Sequence, residues 1–348
     1  MLNLMNALSI CVGWLNPELI DAPTVLVMAI VLAVLMFANV FGFLVRRKSD
    51  SNFNPAIVDA FLVRLKAWWL MFLILATAFL FSKTVTVVLF FLVSFWALRE
   101  FVTLTPTRMG DHRTLFWIFF LFAPLQYILI AHSNQYYELY SIVIPVYVYL
   151  FIPARIALAG DGKRFLERAA KIQAAILICV YALSYAPAIL YLDFQSSDGT
   201  PWTGSPAGVL FYFLLIVQVG DVFQYVCSKF IGKRVIAREI NTSRTWEGFF
   251  GGTLCTTLIG MVLYRLTPFN VYEAAFMAMV TAVMGFAGGI TMSAIKRDRG
   301  VKDYGTLVVG HAGILDRIDS LCFAAPVFFH LTRFLFSEPI VEVLEKAA

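Results

Sequence analysis

Charge is scarce in this chain. Asp, Glu, Lys and Arg make up 14% of its 348 residues, against about 25% in an average soluble domain. Hydrophobic residues make up 60%, with 33 Phe among them, more apolar surface than a soluble fold of this length can hide. The first 45 residues contain no Lys or Arg, so no basic n-region precedes the first apolar run and a cleaved signal peptide is not expected. The five cysteines (Cys11, Cys179, Cys227, Cys255 and Cys322) form no Cys-x-x-Cys pair and sit mostly inside apolar runs, which argues for packing roles and against a disulfide framework. No low-complexity tract interrupts the chain. The polar motifs of its second half are not repeated in its first, which tells against an inverted-repeat transporter. No Ser–His or Cys–His pairing suggests covalent nucleophilic catalysis.

What the chain has instead is long apolar runs. About 20 apolar residues cross a bilayer as a helix. Runs of this kind cover 24–45, 68–82, 84–98, 114–131, 139–154, 172–192, 206–227, 248–264, 274–292 and 320–336. The second and third are short, so an all-α, polytopic integral membrane protein with nine or ten transmembrane helices is expected. The basic residues test this reading. Segments 46–67, 99–113, 155–171, 228–247 and 293–319 hold 23 of the 27 Lys and Arg, and the alternate segments hold only Lys83, Arg265, Arg333 and Lys346. Positive charge resists translocation, so the basic segments are expected in the cytoplasm, with the chain in the cell inner membrane or its equivalent. The net charge of +5 then suits anionic lipid head groups and needs no nucleic acid.

Two regions differ in texture. Residues 1–205 read as N-terminal transmembrane helices with few polar groups inside spans. Within them, 46–66 is an amphipathic stretch suited to the inner membrane surface. Residues 206–348 read as a C-terminal region in which polar groups gather at one side and glycine becomes frequent (Gly220, Gly248, Gly251, Gly252, Gly285, Gly288 and Gly289 among others). Small residues let membrane helices approach closely or leave room for a ligand.

Three clusters in this second region carry chemistry. Asp221 follows Gly220 inside an apolar run. A carboxylate there costs about 2.5 kcal/mol or more on insertion scales, so it is either functional or held in an ion pair. Lys233, Arg234, Arg244, Thr245 and Glu247 lie in a loop that ends on Gly248, Gly251 and Gly252. Such a loop can hold phosphate oxygens, though positive-inside charge alone also accounts for its cations. The third cluster is the densest: Ser293, Lys296, Arg297 and Asp298, then Lys302, Asp303 and Gly305, then His311, Gly313, Asp316, Arg317 and Asp319. Asp316 and Asp319 are three apart, so a helix puts both on one face. Carboxylates, cations and glycine at this density suit metal-assisted phosphate chemistry better than a merely solvated loop.

The third cluster resembles the signature of the phosphatidate cytidylyltransferases (CDP-diacylglycerol synthases), which runs S-x-x-K-R, K-D-x-G, H-G-G-x-x-D-R-x-D. The second resembles the family's S-P-x-K-T-x-E-G-x-x-G-G element through Arg244, Thr245, Glu247, Gly248, Gly251 and Gly252, and Asp221 resembles its intramembrane acidic position. The resemblance covers residues 210–325, about a third of the chain. Ala312 stands where the pattern has the first glycine of H-G-G, and Asn241-Thr242 replaces Ser-Pro, as in a divergent branch.

The resemblance implies transfer of the cytidylyl group of CTP to phosphatidate or a related lipid phosphate, releasing pyrophosphate. It assigns Lys296, Arg297, Lys302, Asp303, His311 and Arg317 to catalysis. Lys233, Arg244, Thr245, Glu247, Ser293 and Gly313 go to substrate binding, and Asp221, Asp316 and Asp319 to Mg²⁺. A second cation and a homodimer are left open. Two other readings stay open at this point: a CTP-dependent lipid kinase acting on a polyprenol-type alcohol, and a transporter.

Overall fold

The computed structural model describes residues 20–47, 82–104, 107–196, 200–301, 304 and 313–337, with isolated positions between 62 and 79. Most of the amphipathic stretch 46–66, and with it Lys302, Asp303, Gly305, His311 and Ala312, lies outside the described residues. The chain forms two compact units, residues 1–86 and 87–348.

The first unit contains α1 (Ala22–Arg47), an uninterrupted apolar helix. The Asp21 side chain caps it by accepting the Thr24 N–H at 3.1 Å. Large apolar side chains on α1, Phe37 among them at 72% exposure, face outward, as expected of a helix whose solvent is lipid.

The second unit begins within α2 (Lys83–Leu104). It continues through α3 (Met109–Ala131), α4 (Tyr136–Ala157), α5 (Phe165–Tyr191) and α6 (Pro206–Ile231). A hairpin follows, with β1 (Val235–Ala237) antiparallel to β2 (Asn241–Thr245). Then come α7 (Trp246–Val262), α8 (Val271–Asp298) and α9 (Leu315–Phe336). Among the described residues, eight helices are long and apolar enough to cross a membrane. They are α1 to α6, α8 and α9; α7, at 17 residues, is shorter. The chain is therefore an all-α, multi-pass integral membrane protein. Of the ten apolar runs, 68–82 is described only at isolated positions.

Glycine sets the spacing of the last four helices. A methyl group on Gly252 of α7 would lie 2.5 Å from the Gln224 Cα of α6. One on Gly288 of α8 would lie 2.6 Å from the Asp319 carbonyl oxygen of α9. Backbone thus packs on backbone at both seams, the close approach that small residues permit. On its other side, α7 exposes Phe250, Leu254, Leu258 and Val262 at intervals of one turn, an apolar stripe suited to lipid.

Within the second unit, contacts sort the connecting segments into two ends. At one end Arg168 meets Asp111 at 2.6 Å, Arg297 meets the Ile240 carbonyl at 3.1 Å, and Asn241 meets Ser293 at 3.3 Å. This end gathers the basic segments 99–113, 155–171, 228–247 and 293–319. At the other end the Gln195 N–H donates to the Phe336 carbonyl at 2.7 Å, and the Tyr137 hydroxyl lies 3.2 Å from His330.

Candidate functional site

Three structural pieces bring the polar residues of the second half together. The first is α6. It carries Asp221 well short of its end at Ile231, with Gln224 on the next turn. Ser205 starts this helix by accepting the Gly208 N–H, followed by Pro206 at its first position, where a missing N–H costs nothing. The second piece is the hairpin with the head of α7. Thr245 ends β2 and caps α7 by accepting the Gly248 N–H at 3.1 Å. The third is the corner where α8 ends and α9 begins.

Arg244 bridges the first piece to the second. Its guanidinium donates to Gln224 Oε1 at 2.8 Å and to Asp221 Oδ1 at 3.3 Å. It also lies over the Phe286 ring, 5.5 Å from its centre. Gly289 makes this placement possible, since a methyl there would approach the guanidinium to 2.9 Å. Gln224 is buried and completes the arrangement by donating to the Ala282 carbonyl of α8 at 3.1 Å.

The α8–α9 corner is built on Asp316. Its Oδ1 accepts from Lys296 Nζ at 2.7 Å, and its Oδ2 accepts the N–H groups of Tyr304 at 2.8 Å and Gly313 at 3.2 Å. Lys296 also lies over the Tyr304 ring, 5.4 Å from its centre, and the Tyr304 hydroxyl donates to the Met292 carbonyl at 2.9 Å. One turn further on, Asp319 interacts electrostatically with Asp221, Arg244 and Lys296, so the Arg244 bridge and the Asp316 corner share one charged region.

The remaining candidates divide by their partners. Ser293 donates to the Gly289 carbonyl at 2.7 Å and accepts from Asn241 at 3.3 Å, tying the hairpin to α8. Arg297 secures the same hairpin through Ile240. Arg317 is half-buried on the first turn of α9. Glu247 accepts the N–H groups of Lys233 and Arg234 at 3.0 and 3.1 Å, and these donors hold its carboxyl below the usual range. The Lys233 side chain is exposed. A cavity of about 570 Å³ opens beside this turn, lined by Arg234, Trp246, Glu247 and Phe250.

Asp221 and Asp319 interact electrostatically, and carboxylate oxygens are the donors that a hard cation takes. Among the described residues, however, no three His, Cys, Asp or Glu side chains converge as a ready metal cluster. Asp316 has both oxygens engaged within the chain, whereas Asp221 is held through one.

Two residues of this region carry no motif. Gln224 orients Arg244, and its only sequence signal is an amide inside an apolar run. Glu100, on α2, accepts the N–H groups of Ile314 at 3.1 Å and Leu315 at 2.9 Å.

Comparison with known proteins adds to this geometry. The model of the cytidylyltransferase family matches residues 62–335. An uncharacterized Escherichia coli protein, YnbB, is 34% identical over 273 residues, 78% of this chain and 87% of its own length. A phosphatidate cytidylyltransferase of Staphylococcus epidermidis is 37% identical over 152 residues, 43% of this chain and 56% of its own. One from Haemophilus influenzae is 28% identical over 159 residues, 44% of this chain and 54% of its own. The chain thus spans about half the length of the two relatives with a named activity.

Proposed function

Because the chain belongs to the cytidylyltransferase family and is therefore a membrane nucleotidyltransferase, we propose that it joins CTP to phosphatidate, giving CDP-diacylglycerol and pyrophosphate. The observation that most directly supports this reading is the meeting of Asp221, Arg244, Lys296 and Asp319 in one charged region at the basic end of the molecule. Such a region suits a reaction whose main demand is neutralisation and alignment of phosphates.

A phosphate monoester has a second pKa of about 6, so the lipid phosphate is largely dianionic near neutral pH. One of its oxygens attacks the α-phosphorus of CTP. The bond from that phosphorus to the bridging oxygen breaks, and pyrophosphate leaves with the electron pair. The chain supplies no nucleophile and needs no strong base. In this reading Lys296, Arg297, Lys302 and Arg317 neutralise the triphosphate and the leaving pyrophosphate. Arg244, locked by Asp221 and Gln224, presents its charge in a fixed direction to the lipid phosphate or the nucleotide. Asp221 and Asp319, with Asp316 and Asp303, would hold Mg²⁺, which when bound adds positive charge against the polyphosphate. In this reading the basic segments favour a cytoplasmic position for this end.

The test is direct. Purified protein is incubated with labelled CTP, Mg²⁺ and a panel of lipid phosphates and lipid alcohols, and the products are identified by mass. A CDP-linked lipid with release of pyrophosphate from phosphatidate is the expected result. Release of CDP with phosphorylation of a lipid alcohol would replace the reading with a lipid kinase.

A further inference from the structure

A buried carboxylate from the first half of the chain supports the turn that carries Asp316 and Asp319. Glu100 is 4% exposed, yet among the described residues no cation is a hydrogen-bond partner of it. Its two oxygens each accept one backbone N–H, from Ile314 at 3.1 Å and from Leu315 at 2.9 Å. These donors open α9, where helix N–H groups lack intrahelical acceptors and the helix dipole favours negative charge. No side chain of α9's own N-cap residue, Ile314, does this work. The neighbouring Phe101 stacks on Tyr304, with ring planes 16° apart and centres 6.4 Å apart. Tyr304 in turn donates its N–H to Asp316. Helix α2 therefore holds the corner at two successive residues, once at the start of α9 and once through Tyr304.

We propose that Glu100 is a positioning residue for the nucleotidyl-transfer site: it fixes the first turn of α9 so that Asp316, Arg317 and Asp319 project in their working directions. This inference rests on the functional reading above. Among the described residues, the hydrogen-bond partners of Glu100 are backbone amides and none of the charged groups of the site. Its effect runs through the two amides that start the helix. A free helix end would fray over its first turn, and Asp316, Arg317 and Asp319 all lie on it or just beyond.

Two variants and three readouts test the proposal in the full-length protein in detergent or nanodiscs. Glu100→Gln keeps the size and one acceptor oxygen but puts an NH₂ group against the second amide. Glu100→Ala removes both acceptors. The expected outcome for Glu100→Gln is a thermal midpoint within a few degrees of wild type, a kcat lowered about tenfold, and faster hydrogen–deuterium exchange confined to the peptide that begins at Gly313. The Mg²⁺ concentration for half-maximal rate should rise several-fold. Glu100→Ala should show the same signature more strongly.

Wild-type exchange in that peptide together with wild-type kcat in Glu100→Gln would overturn the proposal. So would failure of both variants to fold, because the contact would then be a general support of the bundle. If the wild-type protein transfers no cytidylyl group, the functional reading fails. The exchange measurement still reports whether Glu100 orders α9.

Discussion

Lys296 and Asp316 meet at 2.7 Å across the corner between α8 and α9, and the same carboxylate receives two backbone N–H groups from the segment between those helices. Asp316 is thus a hub of the fold as well as a candidate ligand of the site. Asp319, one turn later, has the Ser320 amide and hydroxyl as its hydrogen-bond partners.

The two aspartates should therefore respond differently to the same change. Asp316→Asn should lower activity and also stability, by about 3 kcal/mol, the low end of the range for breaking a buried pair, since Lys296 keeps 17% exposure. Asp319→Asn should abolish turnover with little change in the thermal midpoint. Melting curves and turnover, measured on the same preparations, check the contrast. Equal stability losses in the two variants would contradict it.

The glycine seam offers a paired test. Gly288→Ala sets a methyl against a backbone oxygen and the Phe323 side chain, and helix backbone cannot give way cheaply. Overpacking of this kind costs about 1–3 kcal/mol and should push α9, with its aspartates, away from α8. Gly285→Ala, one turn earlier, meets Ser320 Cβ at an ordinary 3.5 Å and should be tolerated. Thermal unfolding and activity of both variants separate the two positions.

Gln224→Leu removes the acceptor that holds one arm of Arg244 while keeping the side chain's size. A hydrogen bond to a charged group is worth about 1.5–3 kcal/mol. Activity should fall about tenfold or more, with a smaller loss of stability, because Arg244 keeps Asp221 as a partner. Gln224→Glu should restore the acceptor and recover part of the rate.

Sidedness is testable without activity. With the native cysteines replaced, Ser196→Cys should label with an impermeant thiol reagent in intact cells. Arg238→Cys, in the turn of the hairpin, should label only after permeabilisation. Labelling of Arg238→Cys in intact cells would invert the topology.

Chelation completes the set. Removing divalent cations should stop turnover without unfolding the protein, and Mg²⁺ should restore it. Turnover that persists in excess chelator would remove the metal from the reading.

Much of this molecule can be read from local pattern. The spans follow from unbroken apolar runs, and the grouping of four basic segments at one end follows from their alternation. The signature residues are close together in sequence, so Lys296 and Asp316 read as one cluster from spacing alone. Glu100 could not. It sits 214 residues from the amide it accepts, beside Arg99, in a segment that reads as an ordinary basic loop. Its meaning depends on a helix start packed against it, and no spacing rule reports that. Gln224 is invisible for a related reason, since a lone amide in an apolar run has no period or motif. The hairpin reads as a loop in the sequence because its strands, Val235–Ala237 and Asn241–Thr245, are short and carry no alternation of apolar and polar residues.

The depth of Asp221 has a consequence for the bilayer itself. From Pro206 to Asp221, helix α6 rises only about 22 Å at about 1.5 Å per residue. An ordinary hydrocarbon core is about 30 Å thick. Measured from Pro206 at the outer boundary, Asp221 falls about 8 Å short of the far boundary of a flat membrane of that thickness. A carboxylate at that depth calls for lipid that dips beside α6 or for a notch of water. The site then meets the bilayer where local thickness matters. Its rate in vesicles should fall as the host acyl chains lengthen, even where the substrate lipid is held constant.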